Sequence, residues 1–411
     1  MKLDVSNLVN IANGHSSALI PKEPVPITEY SAQVQSPGFN GEAKITIQDE
    51  GVYISALFDE GVIYYSEITS FTIEDFIVKI VTETSEWIVS KLGTMYEDFY
   101  RELYFSYNRK ILKAFFISKN PLFETLGSYS YKENENEQSG KAILHIYESC
   151  ICILPPDDKS RRIPLCFVSN MEKDGFCLTL KLITGESYSF IKLGYDTDVF
   201  EDILKKQIFS LGKNAINAVK KIDPSIGSSE SSNIARMMPE GVAVSIGALS
   251  KESGSFVNAI EQKILSSRAA DEYLYLKTII DSEKICVGTK SNLAGENEKD
   301  ILWFIVQGKK IGTACVELAL SEETSAATYL YRFDGSWDVF SKNLNRAMEA
   351  INFKREAVSL SFEELKKVQY SNYAMAEKRT QALKFVRKCY AGRVVHSNLE
   401  SWKKEISDFM L

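Results

Sequence analysis

Hydrophobic and polar residues alternate along much of the first half of the chain, in short runs that end at polar turns. Leu178, Leu180 and Leu182 lie two positions apart, which is the spacing of one face of a half-buried β-strand. The turn Thr184-Gly185 comes next, and another short run follows it. This pattern predicts antiparallel hairpins rather than helices in this part of the chain.

The alternating pattern occurs twice, which predicts a duplicated module. The first copy begins at Gly41 and the second at Gly140, and each leads to the tripeptide Lys-Leu-Gly, at 91–93 and 192–194. A helix is predicted after each tripeptide, because a Phe and a Leu follow on one helical face: Phe99 and Leu103, then Phe200 and Leu204. Each module is therefore predicted to contain roughly six or seven antiparallel strands and a helix that packs on them.

Three short sequences in the second copy carry a resemblance to a known fold. They are Gly140-Lys141-Ala142, Arg162-Ile163-Pro164-Leu165 and the hairpin sequence at 184–190. With the helix that follows, they make the stretch 140–208 similar to the pleckstrin-homology-like (PH-like) superfold, closest to its bacterial and GRAM-type branches. The resemblance extends over both copies, near 41–118 and 140–221.

The resemblance implies a partly open β-barrel that the helix closes at one end. Proteins of this superfold bind lipids, peptides or other domains and are rarely catalytic. The resemblance therefore implies a binding role without a cofactor, and the fold alone does not select among these ligands.

Two polar segments suggest how the chain is divided. Residues 132–139 are charged or polar, which predicts a solvated joint between the two copies. Residues 222–233 are rich in Ser, which predicts a short flexible linker. We therefore predict a first module with an N-terminal extension at 1–135, a second module at 136–222, and a third domain at 234–411.

The third domain is predicted to have an α+β fold with an antiparallel sheet and a helical C-terminal tail. The tail begins at Ser361, where Ser361 and Glu364 have the spacing of a capping box. The other predicted elements are helices at 253–267 and 337–351, strands at 273–280, 284–287, 301–306, 313–320 and 327–333, and a short run at 357–360. The whole chain is thus predicted to be α+β, with two tandem PH-like β-barrel-plus-helix modules ahead of this domain.

Composition and charge restrict the class of protein. The net charge of -7 over 411 residues argues against a non-specific nucleic-acid binder. The tail from 361 to 411 is locally basic, with ten Lys and Arg against six Asp and Glu, and it could contact nucleic acid or another acidic partner. A pair of amphipathic helices with a solvated charged face explains the same residues more simply.

The cysteines and the apolar runs indicate the compartment. The seven cysteines are scattered and odd in number, which favours buried free thiols over a disulfide framework. Residues 1–20 lack the apolar core of a signal peptide, and no run approaches the length of a membrane-spanning helix. A soluble, cytoplasmic protein is expected.

The sequence contains no recognisable catalytic or metal-binding motif. It has no phosphate-binding loop, no Gly-x-Gly-x-x-Gly and no His-Glu-x-x-His. Cys150 and Cys152 are the only closely spaced cysteine pair near His145, and they fall in a strand-like run rather than a turn. We expect neither a metal nor an enzymatic activity.

Two groups of cations are candidate anion-binding residues. Lys159, Arg161 and Arg162 lie in a predicted loop of the second copy, where basic loops of PH-like domains meet lipid phosphates. A second group surrounds Gly392 and could contact an anion or a partner: Arg387, Lys388, Arg393 and His396. The favoured alternative for the second group is that Gly392 ends a helix whose last carbonyls the cations neutralise.

The function expected from these features is that of a non-catalytic adaptor or scaffold, which binds protein partners through the sheet edges of its tandem modules. Three alternatives belong to other classes. The chain could bind anionic membranes through Lys159, Arg161 and Arg162, or nucleic acid through its C-terminal tail. It could also carry an unrecognised enzyme in the third domain.

Overall fold

A computed structural model describes residues 29–133, 135–290, 300–321 and 326–411. The chain is an α+β protein with tandem β-sheet modules, which confirms the predicted fold class. It divides into two compact units: unit 1 is 1–205 with 361–380, and unit 2 is 206–360 with 381–411. Among the described residues, no helix combines the length and the apolar character needed to cross a bilayer.

Module 1 is a seven-stranded antiparallel sheet followed by a helix. The order of the strands across the sheet is β4-β3-β2-β1-β7-β6-β5. The strands are β1 (Glu29–Ser36), β2 (Phe39–Ile47), β3 (Gly51–Ser55), β4 (Glu60–Tyr64), β5 (Ile68–Glu74), β6 (Ile77–Thr82) and β7 (Glu86–Ser90), and the helix is α1 (Tyr96–Ala114).

Module 2 repeats this arrangement element by element. Its strand order is β11-β10-β9-β8-β14-β13-β12, which is the order of module 1 advanced by seven strands. The strands are β8 (Phe123–Glu133), β9 (Asn136–Ile146), β10 (Cys150–Leu154), β11 (Arg161–Pro164), β12 (Val168–Asp174), β13 (Cys177–Leu182) and β14 (Ser187–Ile191), and the helix is α2 (Thr197–Ile222). The predicted duplication is confirmed, and each copy begins one strand earlier than the sequence pattern indicated.

The Lys-Leu-Gly tripeptides form the same turn in both modules. Lys91 and Gly93 have φ of 59° and 60°, and Lys192 and Gly194 have φ of 61° and 60°. Left-handed backbone is costly for a lysine and easy for a glycine, so the tripeptide is a specific connector between the last strand and the helix. The predicted helix anchors Phe99, Leu103, Phe200 and Leu204 are all buried.

The two modules of unit 1 share one hydrophobic core. Buried residues from the β9–β10 hairpin of module 2, such as Ile143, Cys152 and Leu154, belong to the same apolar cluster as the α1 face of module 1. Met375, from the far end of the chain, is fully buried in that cluster.

Met375 belongs to a C-terminal segment, 361–380, that completes unit 1. The segment contains α9 (Phe362–Leu365) and α10 (Ser371–Arg379). The capping box predicted at Ser361 and Glu364 is confirmed. The Ser371 hydroxyl donates to the Glu50 carboxylate at 2.9 Å, and that carboxylate also pairs with the buried Lys110 at 2.5 Å.

Unit 2 contains an antiparallel sheet with the strand order β15-β16-β17-β18-β19-β20, flanked by helices. The strands are β15 (Val244–Ser245), β16 (Cys286–Lys290), β17 (Ile301–Gln307), β18 (Thr313–Leu320), β19 (Ala327–Arg332) and β20 (Tyr390–Val395). The helices are α3 (Ser228–Met237), α4 (Ile246–Glu252), α5 (Gly254–Leu265), α6 (Ala270–Ile279), α7 (Trp337–Ala350), α8 (Glu356–Ser359), α11 (Gln381–Cys389) and α12 (Leu399–Met410). Helix α2 begins in unit 1 and continues into unit 2.

Several predicted segments have a different structure. The predicted joint at 132–139 is wrong, because the described residues of this range, 132–133 and 135–139, lie at the end of the β8–β9 hairpin inside module 2. The predicted linker at 222–233 is ordered: it contains the last residue of α2, the buried Ile226 and part of α3. Residues 273–280 were predicted as a strand, but most of them lie in α6, which buries Tyr273 and Leu276 on one helical face.

Candidate functional site

The outer edge of β5 in module 1 is occupied by an extended segment of module 2. Ser70 and Asp157 form an isolated antiparallel bridge. The backbone N–H of Phe71 donates to the Pro156 carbonyl at 3.0 Å, and the N–H of Asp158 donates to the Thr69 carbonyl at 3.0 Å. The β10–β11 loop therefore adds a short strand to the sheet of module 1, in the manner of β-augmentation.

Helix α1 fixes this loop from the other side. The Tyr104 hydroxyl donates to the Leu154 carbonyl at 2.6 Å, and the Tyr107 hydroxyl donates to the Asp157 carbonyl at 2.9 Å. Burial at this contact raises the pKa of the Asp157 carboxyl. The edge of β5 is thus used within unit 1 and is not free for another partner.

The matching edge of module 2, on β12, is open. Within the described parts of the chain β12 pairs with β13 alone, and most of its residues are exposed. Its register has the same irregularity as that of β5, between Val168 and Asn170 instead of Ile68 and Ser70. The Ser169 hydroxyl donates to the Lys181 carbonyl at 2.9 Å, which repeats a 3.1 Å bond from Thr69 to the Val81 carbonyl.

The matching registers of β5 and β12 indicate which backbone groups of β12 point outward from the sheet. Met171 occupies the position of Phe71, whose N–H donates outward, and Ser169 occupies the position of Thr69, whose carbonyl accepts outward. Unpaired groups on a strand edge are a template for an added strand. The edge of β12 therefore offers one donor and one acceptor with the geometry that captures an extended segment in module 1.

An apolar groove lies at the end of β12. Its volume is about 670 Å³, and its lining includes Phe176, Ile191 and Tyr195, together with Asp174 and Lys192. Phe176 is 76% exposed and the Tyr195 side chain is fully exposed. Two exposed aromatic side chains in one concave surface are typical of binding sites.

The same position in module 1 is built differently. Asp75 and Phe76 both have left-handed backbone there, with φ of 50° and 64°, and the Phe76 ring packs edge-on against Tyr96 at 4.8 Å. In module 2 the corresponding turn places Gly175 at φ 57°, while Phe176 needs no left-handed conformation. Because the turn of module 2 has this different backbone conformation, the Phe176 side chain lines the groove.

The first group of predicted cations does not form one open basic surface, because its members have partners within module 2. Arg161 is largely buried: it lies 4.6 Å over the Tyr131 ring and 3.6 Å from the Glu133 carboxylate. Arg162 lies in β11 opposite Cys152 and has an intramolecular partner. Lys159 is partly exposed and pairs with Asp158 at 2.6 Å.

The second group of predicted cations is dispersed. Arg387 donates to the carbonyls of Ala357, Val358 and Leu360, so it neutralises the C-terminus of α8. Lys388 and Arg393 are exposed, on α11 and β20. The prediction that Gly392 ends a helix is wrong. Helix α11 ends at Cys389, and Gly392 lies in β20 beside a register shift.

His396, the fourth member of this group, is buried between two carboxylates of unit 2. Its Nδ1 lies 3.2 Å from Glu272 and its Nε2 lies 3.0 Å from Glu317. Burial acts to lower the pKa of His396, but the hydrogen bond and charge of Glu317 and the charge of Glu272 together raise it above its usual value. Burial also raises the pKa of Glu272.

Three of the residues of module 2 with metal-binding chemistry, Cys150, Cys152 and His145, are packed as core groups. Cys150 and Cys152 are buried, and the His145 ring bonds to the Tyr147 hydroxyl at 2.9 Å. Burial lowers the pKa of His145 to about 3. No cluster of His, Cys, Asp and Glu that could hold a metal occurs among the residues that the structure describes.

Sequence reasoning missed the β12 edge and the groove. Phe176 could have indicated the groove from sequence, because a large apolar side chain at the tip of a two-residue turn is too far from the sheet to be buried in the core. Phe76 holds the same place in the first copy, so the position is apolar in both. The sequence shows that β12 is more polar than β5, with Lys173 in place of Ile73, but it does not show that a distant loop covers the β5 edge.

Comparison with known proteins adds little to this description. No protein-family model matches the chain. No curated protein matches it at a significant level. One similar solved structure is the Spt16D Pob3N heterodimer, with 14% sequence identity and a TM-score of 0.16, over 40% of this chain and 87% of that chain. A TM-score this low supports no statement about function.

Proposed function

We propose that the protein is a non-catalytic adaptor whose tandem modules are of the PH-like type and which binds a protein partner through module 2. The observation that carries the proposal is the contrast between two equivalent edges. The β5 edge is filled by the chain itself, whereas the β12 edge is exposed beside an apolar groove.

The positions of the cations favour a protein partner over a membrane. Lipid phosphates require several cations on one surface. Arg161 and Arg162 have partners within the chain, and Lys159 is paired with Asp158, so the three offer little net charge to a membrane. The groove is instead lined by aromatic and aliphatic side chains, which are the usual anchors of protein interfaces.

Site-specific photocrosslinking in native cells tests the proposal. A photoreactive phenylalanine analogue replaces Phe176 in the full-length protein, and Phe76 in a matched control. The full chain is needed because a protein that ends before 361 lacks part of unit 1. We expect a discrete protein adduct from position 176 and a much weaker one from position 76, because the β5 edge beside position 76 is already bridged to Asp157.

Adducts from both positions at equal yield, or none from position 176, would refute a partner at the groove. A lipid or nucleic-acid adduct at position 176 would replace the adaptor with one of the other two binding functions.

A further inference from the structure

The edge of β12 and the groove at its end are close enough to be used by one ligand. Asn170, at the centre of the open edge, and Asp174, on the groove, are four residues apart on one strand. Strand residues advance by about 3.3 Å each, so the two features are about 13 Å apart along the strand. An extended segment on the edge would therefore reach Phe176, which lies in the turn that follows β12 and forms the near wall of the groove.

The contact in module 1 gives the direction of such a segment. Residues 156 to 158 run antiparallel to residues 69 to 71, with Asp157 opposite Ser70. A ligand residue opposite Asn170 takes the place of Asp157, and residues before it lie toward Asp174. The residue at the groove is then about four positions N-terminal to the residue opposite Asn170.

We infer that β12 binds an extended peptide segment of a different protein by antiparallel strand addition, with an apolar side chain of that segment in the groove of Phe176, Ile191 and Tyr195. The inference rests on the proposed function and specifies its partner. Two backbone hydrogen bonds would fix the register, from the Met171 N–H and to the Ser169 carbonyl, while the groove selects the anchor residue.

A second copy of this chain could offer its own β3–β4 loop, which exposes Leu57 and Phe58, but its module 1 does not match the rest of the known contact. The part of module 2 that packs on module 1 presents the opposed pair Ile143 and Leu154, which belong to the shared core. The corresponding pair on module 1 is Lys44 and Ser55, both exposed. A module 1 from another copy would therefore bring polar groups where the known contact uses apolar ones.

The test uses random twelve-residue peptides displayed on phage and selected on the full-length protein, followed by affinity measurements with the selected peptides. Met171→Pro removes one outward N–H, and proline is tolerated on edge strands where the N–H faces solvent. We expect about a tenfold loss of affinity, as for a backbone hydrogen bond left unmade. Asn170→Ala is the matched control and should change affinity less than about twofold, because it leaves the backbone intact.

Two further measurements avoid any folding defect of the proline variant. In the wild-type protein, a bound peptide should slow amide hydrogen exchange at Met171. N-methylation of the peptide residue that donates to Ser169 should abolish binding.

The groove is tested separately. Phe176→Ala should weaken peptide binding about tenfold or more, and Phe76→Ala should not.

Each contrary result has a separate meaning. If no peptide is selected, or if selected peptides bind without protecting Met171, strand addition is wrong. The adaptor would still stand if the photocrosslinked partner persisted. Loss of both would remove the proposed function together with the inference.

Discussion

Arg379 donates a hydrogen bond to the Tyr107 hydroxyl at 2.8 Å, across 272 positions of sequence. The same hydroxyl donates to the Asp157 carbonyl, so one oxygen joins α1, the β10–β11 loop and α10. Tyr107 and Arg379 are buried, and both the guanidinium and the Asp157 carbonyl would lose a hydrogen bond if the hydroxyl were removed.

Replacing Tyr107 with Phe should therefore destabilise unit 1 by about 2–3 kcal/mol, because Nη2 of Arg379 and the Asp157 carbonyl both lose this hydrogen bond, while Nη1 keeps its bond to the Met375 carbonyl. Tyr104→Phe removes one bond, to the Leu154 carbonyl, and should cost about 1 kcal/mol. Denaturant unfolding of the two variants measures these losses. Tyr100→Phe on the same helix is the control, and an equal effect of all three changes would contradict the role of the hydroxyls.

Met375 should contribute to unit 1 although it lies far from the modules in sequence. Met375→Ala leaves a cavity in the shared core and should lower the free energy of unfolding by about 2–4 kcal/mol. Met95→Ala, at a side chain that is 38% exposed, should change it by less than about 0.5 kcal/mol. Thermal or chemical unfolding distinguishes the two, and similar values would show that α10 does not stabilise unit 1.

Acid should destabilise unit 1 through His145. Its pKa is about 3 in the folded chain because of burial, against about 6.5 when unfolded. The unfolded state therefore takes up a proton below pH 6.5 that the folded state refuses, and stability falls by about 1.4 kcal/mol per pH unit between these values. Unfolding measured from pH 7 to pH 4.5 should show a steeper slope for wild type than for His145→Gln. Identical slopes would be inconsistent with a buried neutral histidine.

His396 should make unit 2 less stable as the pH rises, which is the opposite of the effect of His145 on unit 1. Its folded pKa is raised by its two carboxylate neighbours despite burial, so the stabilisation is complete below the unfolded value near 6.5 and is lost as pH rises through the folded pKa. The raised pKa of Glu272 acts in the same direction at lower pH. Between pH 6 and 8.5, wild-type unit 2 should lose stability while His396→Gln stays nearly flat. A wild-type curve as flat as that of the variant would exclude a charged His396.

Gly288 should tolerate no side chain. A Cβ there would overlap the Gly241 carbonyl oxygen and the Trp303 indole nitrogen, which are hydrogen-bonded to each other at 2.6 Å. Gly288→Ala should therefore cost about 2–3 kcal/mol by overpacking. Gly212→Ala in α2 meets open space and should instead stabilise by about 0.5–1 kcal/mol. Unfolding of both variants is the measurement, and a neutral Gly288→Ala would contradict the close approach.

The duplication could be predicted from sequence because it depends on local patterns. Alternation predicts strands, the Lys-Leu-Gly tripeptide marks the turn, and Phe99 and Leu103 predict a helix face, all within short stretches. The strand predicted at 273–280 was wrong for the same reason. Its β-branched and aromatic residues favour a strand locally, but Tyr273 and Leu276 are buried at helical spacing in unit 2.

The candidate site could not be predicted because it depends on contacts between distant segments. No local property shows that the β10–β11 loop covers β5, whereas β12 pairs only with β13 in the part of the chain that the structure describes. The basic loop was chosen for its charges, whereas Arg161 packs against Tyr131 and Glu133. The C-terminal tail likewise looked like one helical region, but residues 361–380 and 381–411 belong to different units.

The division of unit 1 into two stretches of sequence has a consequence for synthesis of the protein. A ribosome makes both sheet modules first, then the whole of 206–360, and only afterwards the residues that supply Met375 and Arg379. During that interval the nascent modules expose an apolar site on their shared core and leave Tyr107 without its guanidinium partner. Unit 1 therefore cannot be completed until residues 361–380 have been translated, after the whole of the intervening stretch 206–360.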